Sequence, residues 1–493
     1  MGYEYDVLII GGGVIGCSIA SELSRYELNV TMLEKESDVC GGASKANSGV
    51  IHSGIYSQPG SLKAKLCVKG NELFKAFCEE LGVEFQRTGK LVVARNEKEI
   101  EELEKLKDTG DKNGVYGLEF VNKNELKQLE PNIEVKKALI VPSAGIVSPY
   151  ELTIALAENA WENNVKINLN SKVLQISKKK NSFEVKTANN TFYTKWVINC
   201  AGLYCDEIAG MVGIKKYKVY PCRGEYLILD KNFKHLINHL IYRPPQNGSG
   251  GLGIHLTPTF EGNILIGPSA EYIEDKEDTR TTKAGMDRLL SDAASILKNL
   301  PKDAYIQSYA GIRCKLVPKD SKMPEDFIIE EDEKIKGFIN LMGIESPGLS
   351  AAPTIAKMVV DIIQKTEPLS LKKDFKVRRA RKRFDKMSWK EKAKLIEKNP
   401  KHGHVICRCE KVTKQEIIDA LDNPLEVRTL SGIKYRSRAT MGRCQGGFCK
   451  SRIIKIMEEL YNPNTEDITL RGKRSSLFMG NTKDLRKHDK KES

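Results

Sequence analysis

Apolar runs and helically spaced apolar residues alternate from the start of the chain. Residues 3–10, YEYDVLII, form an apolar run that stops at Gly11, the pattern of a buried parallel strand. Val14, Ile15, Ile19, Ala20 and Leu23 then recur at helical spacing as far as Tyr26. A second run, Leu28 to Leu33, ends in Glu34. These pieces predict a strand–helix–strand unit of about 30 residues. Further on, residues 62–82 predict a helix and Leu91–Ala94 a strand. Ser148, Pro149 and Glu151 open a helix, with serine at the N-cap, proline at N1 and glutamate at N3. Val173–Ile176, Phe183–Lys186 and Trp196–Cys200 predict strands. From Tyr217 to Gly267 short strands and turns dominate, predicting an inserted antiparallel sheet. Gly337–Met342 returns as a buried strand and Ser350–Ile363 as a helix, so both ends build one framework. The fold class expected is α/β with α+β: a Rossmann-like domain interrupted by an antiparallel sheet.

The pattern changes after residue 370. Residues 371–400 carry thirteen Lys/Arg against four Asp/Glu, and 471–493 carry eight against three. These two segments account for the whole net charge of +14, so the rest of the chain is neutral. That distribution predicts a basic linker and a basic tail rather than a nucleic-acid surface. It leaves anionic lipid or an acidic protein open as contacts. Within the linker, Ser388 and Glu391 are spaced as a capping box, and Thr413 and Glu416 repeat that spacing just beyond it. The expected organisation is 1–370, a main domain; 371–401, a linker; 402–470, a small C-terminal domain; and 471–493, a tail. With 493 residues, 40% hydrophobic and 29% charged, the chain has the composition of a multidomain globular protein. No stretch approaches the ~20 apolar residues of a membrane span. Glu4 and Asp6 stand where a signal peptide would be basic. The location expected is cytoplasmic, or peripheral on the inner face of a membrane.

Two motifs carry chemistry. Gly11, Gly13 and Gly16 make G-x-G-x-x-G between the first strand and the first helix, with Glu34 closing the second strand. This is the context a dinucleotide fingerprint needs. Gly11 allows the tight turn, Gly13 lets pyrophosphate approach the backbone, and Gly16 lets helix and strand pack closely. The helix N-terminus offers N–H groups to the phosphates, and Glu34 accepts from ribose hydroxyls. An acid at that position fits NAD or FAD. The second motif lies among the cysteines. Eight of the twelve are scattered singly as far as Cys314, whereas Cys407, Cys409, Cys444 and Cys449 cluster as C-x-C and C-x4-C. Four thiolates suit a 2Fe–2S cluster or zinc, and the paired C-x2-C knuckles of a zinc ribbon are absent. One dinucleotide site combined with an iron–sulfur centre favours FAD, because a flavin accepts a hydride and releases single electrons.

The stretches LIIGGGVIG, TMLEKE, NSGVIHSGIY, PGSLKAKLC, VINCAGLYCDEIA, RGEY, IHLTP, YAGIR and GIESPGLSAA resemble the D-amino-acid-oxidase-like FAD oxidoreductases. That group contains glycerol-3-phosphate and L-2-hydroxyglutarate dehydrogenases. Residues 405–450 resemble the bacterioferritin-associated-ferredoxin-like 2Fe–2S domain. The resemblance implies that Gly11, Gly13, Gly16, Glu34 and Lys35 hold ADP. Ser44, Asn47 and Ser48 would lie beside pyrophosphate and flavin, and Val173 beside adenine. Ala201 and Gly202 would pass beneath the cofactor, and Gly343, Ser346, Gly348 and Leu349 would reach the flavin ring and ribityl chain.

Substrate oxidation also needs a base and an anion clamp. His52 and His255 are the base candidates, with a structural hydrogen bond near the flavin as the alternative for each. Arg313 is the clamp candidate because a guanidinium binds carboxylate or phosphate through two parallel bonds. Its alternative is an interface salt bridge. Tyr56, Tyr242 and Lys315 are further residues within reach, Arg243 is a fallback cation, and Arg223 is expected to brace Glu225. The activity expected is oxidation of a small anionic alcohol by FAD, with electrons leaving through the 2Fe–2S centre to a partner protein. Glycerol 3-phosphate is the favoured substrate, with L-2-hydroxyglutarate or an amino acid as alternatives. A non-catalytic electron-transfer subunit is the alternative of another class.

Overall fold

The computed structural model describes residues 3–245, 253–301, 304–318, 325–380, 382–473 and 475–480. The chain divides into two units. The first takes in the described residues up to Lys35 and Val39–Arg379; the second takes in Glu36–Asp38 and the residues from Ala380 on.

The first unit is built on an eight-stranded sheet. Tyr5–Ile10 lies at its centre, paired in parallel with Val30–Leu33 on one side and Thr191–Asn199 on the other. Phe338–Met342 adds in parallel to Thr191–Asn199, so a strand from the end of the unit completes the framework begun by the first. The helices Val14–Leu23, Pro149–Glu162 and Gly348–Gln364 pack together beside it. Because these four strands run parallel, their carboxyl ends open on one edge, where ligands of doubly wound sheets bind.

A second sheet has nine strands. The expected antiparallel strands are present: Tyr220–Leu229 pairs with Tyr305–Lys315 and Ile264–Gly267, which pairs in turn with His255–Pro258. The insert is larger than the periodicity suggested. Lys90–Ala94, Lys137–Val141 and Glu119–Asn122 belong to the same sheet, joined through a parallel pairing of Leu240–Tyr242 with Lys90–Val92. A separate three-stranded sheet places Val50–Ile51 against Gly145–Val147 and so fixes the segment that begins at His52.

Local signals came out unevenly. Ser148 precedes the helix Pro149–Glu162 as expected, yet its hydroxyl makes no cap bond and is buried without a partner. Proline at N1 already removes one orphan donor there. Val173 lies before its strand, which runs Gln175–Lys178.

The second unit has a short hairpin, Val405–Cys407 with Val412–Thr413, and the helices Lys414–Leu421, Leu430–Ser437 and Lys450–Tyr461. Ile406, Ile417, Leu430, Ile433, Ile453 and Ile456 fill its core. Both capping boxes, Ser388 with Glu391 and Thr413 with Glu416, are formed. Among the described residues no helix is long and apolar enough to cross a membrane.

Candidate functional site

The glycine turn is shaped by close backbone approach. Gly11 has φ +109°, and a Cβ there would lie 2.5 Å from the Cys200 carbonyl oxygen. A Cβ on Gly16 would lie 2.0 Å from the Gly11 oxygen, so helix and strand touch at this point. Gly13 is different: its Cβ would meet only the Ser44 hydroxyl, at 3.2 Å. It is the N-cap of Val14–Leu23 and supplies no side-chain cap, so this helix start is left to accept an anion. Ser44 Oγ accepts from the Val14 N–H at 2.9 Å, the kind of contact a phosphate oxygen makes. Glu34 is buried and accepts from the Gly12 N–H at 2.6 Å. Ala201 and Gly202 follow Cys200 alongside Gly11, and Val173 packs with Ile10 and Leu33. Lys35 rests over the Tyr204 ring at 5.0 Å. The open helix start, the small residues around it and the buried acid fit an ADP moiety.

The loop from Ala43 to Gly49 leads from this cradle to the second sheet. Asn47 spends its side chain inside the loop, donating to the Ala43 and Ser44 carbonyls and accepting from Gly49 N–H. Its carbonyl accepts from Tyr309 at 3.0 Å. Ser48 Oγ lies 3.3 Å from His255 Nε2, and the other ring nitrogen of His255 faces the Gly253 carbonyl at 3.1 Å. The His255 ring stacks on Tyr242 at 3.9 Å, and Tyr242 meets His52 edge-on at 6.2 Å. The two histidines therefore flank one aromatic side chain.

His52 is held from several directions. Its N–H donates to Ser350 Oγ at 2.7 Å, and its carbonyl accepts from Asn71 at 2.9 Å. On the ring, Nε2 faces Ser346 Oγ at 3.4 Å and Nδ1 faces Lys90 Nζ at 3.3 Å. Ser346 belongs to the turn that starts at Gly343, φ +66°, and leads through Gly348 and Leu349 into the helix Gly348–Gln364. Burial, then the charge of Lys90, holds the His52 imidazolium well below its usual range; burial brings His255 down to about 3. Both rings are neutral at pH 7, the form a proton acceptor needs. Tyr56 and Tyr242 lie here as well, and their hydroxyls are buried without a protein partner, as is that of Thr257. Such orphaned donors mark where a polar ligand would bind.

Arg313 lies close enough to His255 for its charge to act on the ring. Its guanidinium donates to the Ser269 carbonyl at 3.3 Å from both terminal nitrogens and to the Cys222 sulfur at 3.8 Å. Among the described residues no carboxylate forms an ion pair with it, unlike Lys315, Arg243 and Arg223. Lys315 is bound to Glu325 at 2.7 Å and Glu345 at 3.2 Å, within a partly buried group that includes Lys63. Arg243 is tied to Glu99 at 2.7 Å. Arg223 does not brace Glu225: it pairs with Glu271, its neighbour across the sheet, and with Asp278. A cross-strand neighbour is nearer than a residue two places along the same strand. Glu225 instead accepts from Thr282 N–H at 2.6 Å.

Lys90 was not anticipated. A lysine heading the run LVVA reads as a strand flank, and no local pattern tells that both sides of this strand are covered.

In the second unit the four cysteines form two pairs. Cys409 and Cys444 are exposed, with sulfurs 3.8 Å apart. Cys407 and Cys449 are buried and hydrogen-bonded thiol to thiol. Among the described residues no three Cys, His, Asp or Glu converge as a single metal ion requires. Two pairs suit two irons with two thiolates each. Backbone N–H groups point at the sulfurs: Thr440 and Glu410 at Cys407, and Phe448 and Gly446 at Cys444. Gly442 is needed beside them, since a Cβ there would lie 2.2 Å from that of Cys409. This donor set fits a 2Fe–2S centre.

Residues 405–459 match the BFD-like [2Fe-2S] binding domain, and residues 6–362 match the FAD dependent oxidoreductase family. A glycerol 3-phosphate dehydrogenase of Caloramator mitchellensis is 44% identical over 97% of this chain and 99% of its own length. An L-2-hydroxyglutarate dehydrogenase of Escherichia coli is 33% identical over 73% of this chain and 93% of its own length. The FAD-bound L-alpha-glycerophosphate oxidase of Mycoplasma pneumoniae superposes with a TM-score of 0.72 at 33% identity, covering 77% of this chain and 99% of that one. The chain belongs to the FAD-dependent oxidoreductases of this family and joins to that catalytic unit a C-terminal [2Fe-2S] domain.

Proposed function

We propose that the chain is a dehydrogenase that oxidises the secondary hydroxyl of glycerol 3-phosphate and delivers the electrons through its 2Fe–2S domain to an acceptor protein. The observation that carries this reading is Arg313, a partly buried cation whose hydrogen-bond partners among the described residues are the Ser269 carbonyl and the Cys222 sulfur, near the neutral imidazole of His255. A phosphate completes its charge through two parallel bonds. FAD, when bound, takes the hydride from the carbon bearing the hydroxyl. His52 Nε2 takes the hydroxyl proton, Ser346 and His255 orient the substrate, and Tyr56 and Tyr242 supply donors to it. Gly11, Gly13, Gly16, Glu34, Lys35, Ser44, Asn47, Ser48, Val173, Ala201, Gly202, Gly343, Ser346, Gly348 and Leu349 would hold the cofactor. Cys407, Cys409, Cys444 and Cys449 would hold the cluster.

L-2-hydroxyglutarate is the second reading, since relatives named for it are similar over 73% of the chain. Glycerol 3-phosphate is preferred because a relative that spans the iron–sulfur domain as well bears that name. The chain would work in the cytoplasm, with the basic segments 371–401 and 471–493 touching anionic lipid on the inner membrane face. An anaerobic panel of glycerol 3-phosphate, L-2-hydroxyglutarate and amino acids, read by flavin bleaching, tests the assignment. Bleaching by L-2-hydroxyglutarate alone would replace it, and bleaching by none would leave an electron-transfer subunit.

A further inference from the structure

Lys90 is fully buried in the first position of the strand Lys90–Ala94, where a lysine is costly unless it is paired. Its ammonium nitrogen lies 4.3 Å from the centre of the Tyr242 ring, 4.8 Å from that of Tyr56, and 3.3 Å from His52 Nδ1. The other titratable groups facing it are the Cys67 thiol from the helix Leu62–Leu81 and His255. Among the described residues no carboxylate faces it. The one ring nitrogen it touches is the one turned away from Ser346.

The direction of that contact decides what His52 can do. A protonated Lys90 donates to Nδ1, so the neutral ring carries its hydrogen on Nε2 and has no lone pair there. A neutral Lys90 accepts from Nδ1–H and leaves Nε2 open. We propose that Lys90 is a positioning residue for the reaction: as a neutral amine it fixes the His52 tautomer with an open Nε2, and it then receives the Nδ1 proton when Nε2 takes the substrate's. The inference rests on the reading of His52 as the base. The transfer balances. The C–H bond breaks with its electron pair leaving as hydride to FAD, the O–H bond gives its proton to Nε2, and the C=O bond forms. The Nδ1 proton passes to the amine, which becomes an ammonium over two aromatic faces that favour a cation. Burial lowers this lysine to about 7, and His52 lies lower still, so the proton settles on Lys90 rather than on the ring.

Two readouts test this in the intact flavoprotein. Anaerobic stopped-flow gives the rate of flavin reduction by glycerol 3-phosphate between pH 5.5 and 9, as roughly the span over which such a group titrates. ¹⁵N-histidine NMR, assigned with His52→Ala, reports the tautomer of His52. In the unaltered protein the rate rises through an inflection near 7, and over the same range the Nδ1–H form replaces the Nε2–H form. Lys90→Met loses the inflection and slows reduction about tenfold or more. Lys90→Arg holds Nε2–H at every pH and does not recover at high pH. If Lys90→Met keeps both the inflection and a rate within about twofold, or if the tautomer does not change with pH in the unaltered protein, Lys90 is a packing residue and the inference fails. His52→Ala separates the two levels. A slow His52→Ala beside a normal Lys90→Met overturns only the role of Lys90, whereas a normal rate in His52→Ala removes the base itself.

Discussion

Replacing Arg313 with alanine removes a cation near His255 that, among the described residues, no carboxylate pairs. The guanidinium gives two bonds to the Ser269 carbonyl and one to the Cys222 sulfur, all 3.3 Å or longer, so the protein gains little from it. A bidentate charge-assisted contact to a bound phosphate is worth about 1.5–3 kcal/mol. At 1.36 kcal/mol per decade, Arg313→Ala lowers kcat/KM for glycerol 3-phosphate by about 10- to 150-fold. Arg313→Lys recovers part of the loss, since an ammonium keeps the charge without the planar fork. The assay is anaerobic flavin reduction at a series of substrate concentrations, with flavin and iron content measured on the same samples. Thermal melts in inorganic phosphate separate binding from folding. The unaltered protein is stabilised as phosphate fills the site, by RT ln(1 + [L]/Kd), and Arg313→Ala is not. A kcat/KM within about twofold of the unaltered protein, together with a normal melting response to phosphate, would falsify the clamp.

Gly13→Val yields a folded but colourless protein, because its side chain meets only the Ser44 hydroxyl in the protein yet occupies the anion position; full flavin occupancy by absorbance would refute the cradle. Anaerobic analysis of the purified protein finds two irons and two acid-labile sulfides per chain; zinc without sulfide would refute it. Cys444→Ser leaves flavin reduction by substrate intact and slows delivery of electrons to the acceptor, measured as reoxidation rate; unchanged delivery would remove the cluster from the route. Lys90→Met is more stable than the unaltered protein near neutral pH. Burial lowers the lysine from 10.5 to about 7, so the unfolded chain binds a proton in that range that the folded chain refuses. Stability therefore falls as pH drops from 10.5 to 7, by on the order of 5 kcal/mol, and falls no further below. Denaturant melts at pH 7 and 10 with equal gaps between the two proteins would contradict this.

What the sequence made legible was local. The fingerprint needs Gly11, Gly13, Gly16 and Glu34 within one strand–helix–strand unit, and the two capping boxes need residues three apart. The cysteine spacing pointed to two irons for a related reason: few chemistries need that set of thiols. Contacts across long separations stayed hidden. Arg223 and Glu225 share a face of one strand, which suggested a pair, but the nearest acid was supplied by a different strand. The helix Glu97–Lys112 escaped notice because charge dominates it and its buried side chains are few. His52, His255 and Arg313 were identified through resemblance to a family, and periodicity alone would have passed over all three. Lys90 was hidden for the opposite reason, since its neighbours are as apolar as those of any core strand and its partners come from four other segments.

The parallel pairing of Lys90–Val92 with Leu240–Tyr242 sets an order in which this enzyme can be made. Its members are roughly 150 residues apart, and closing a loop of that length costs about 4 kcal/mol before any contact rewards it. Ser346 is 294 residues from the ring it faces. A chain emerging from the ribosome can form its first strand–helix–strand unit early. It has no place for Tyr242 against Lys90 until the strand Leu240–Tyr242 has been made, and no Ser346 until most of the unit has been synthesised. The proposed substrate site is thus among the last features the growing chain completes, and that proposal expects a fragment that stops short of residue 346 to be inert toward substrate however well its nucleotide fold has formed.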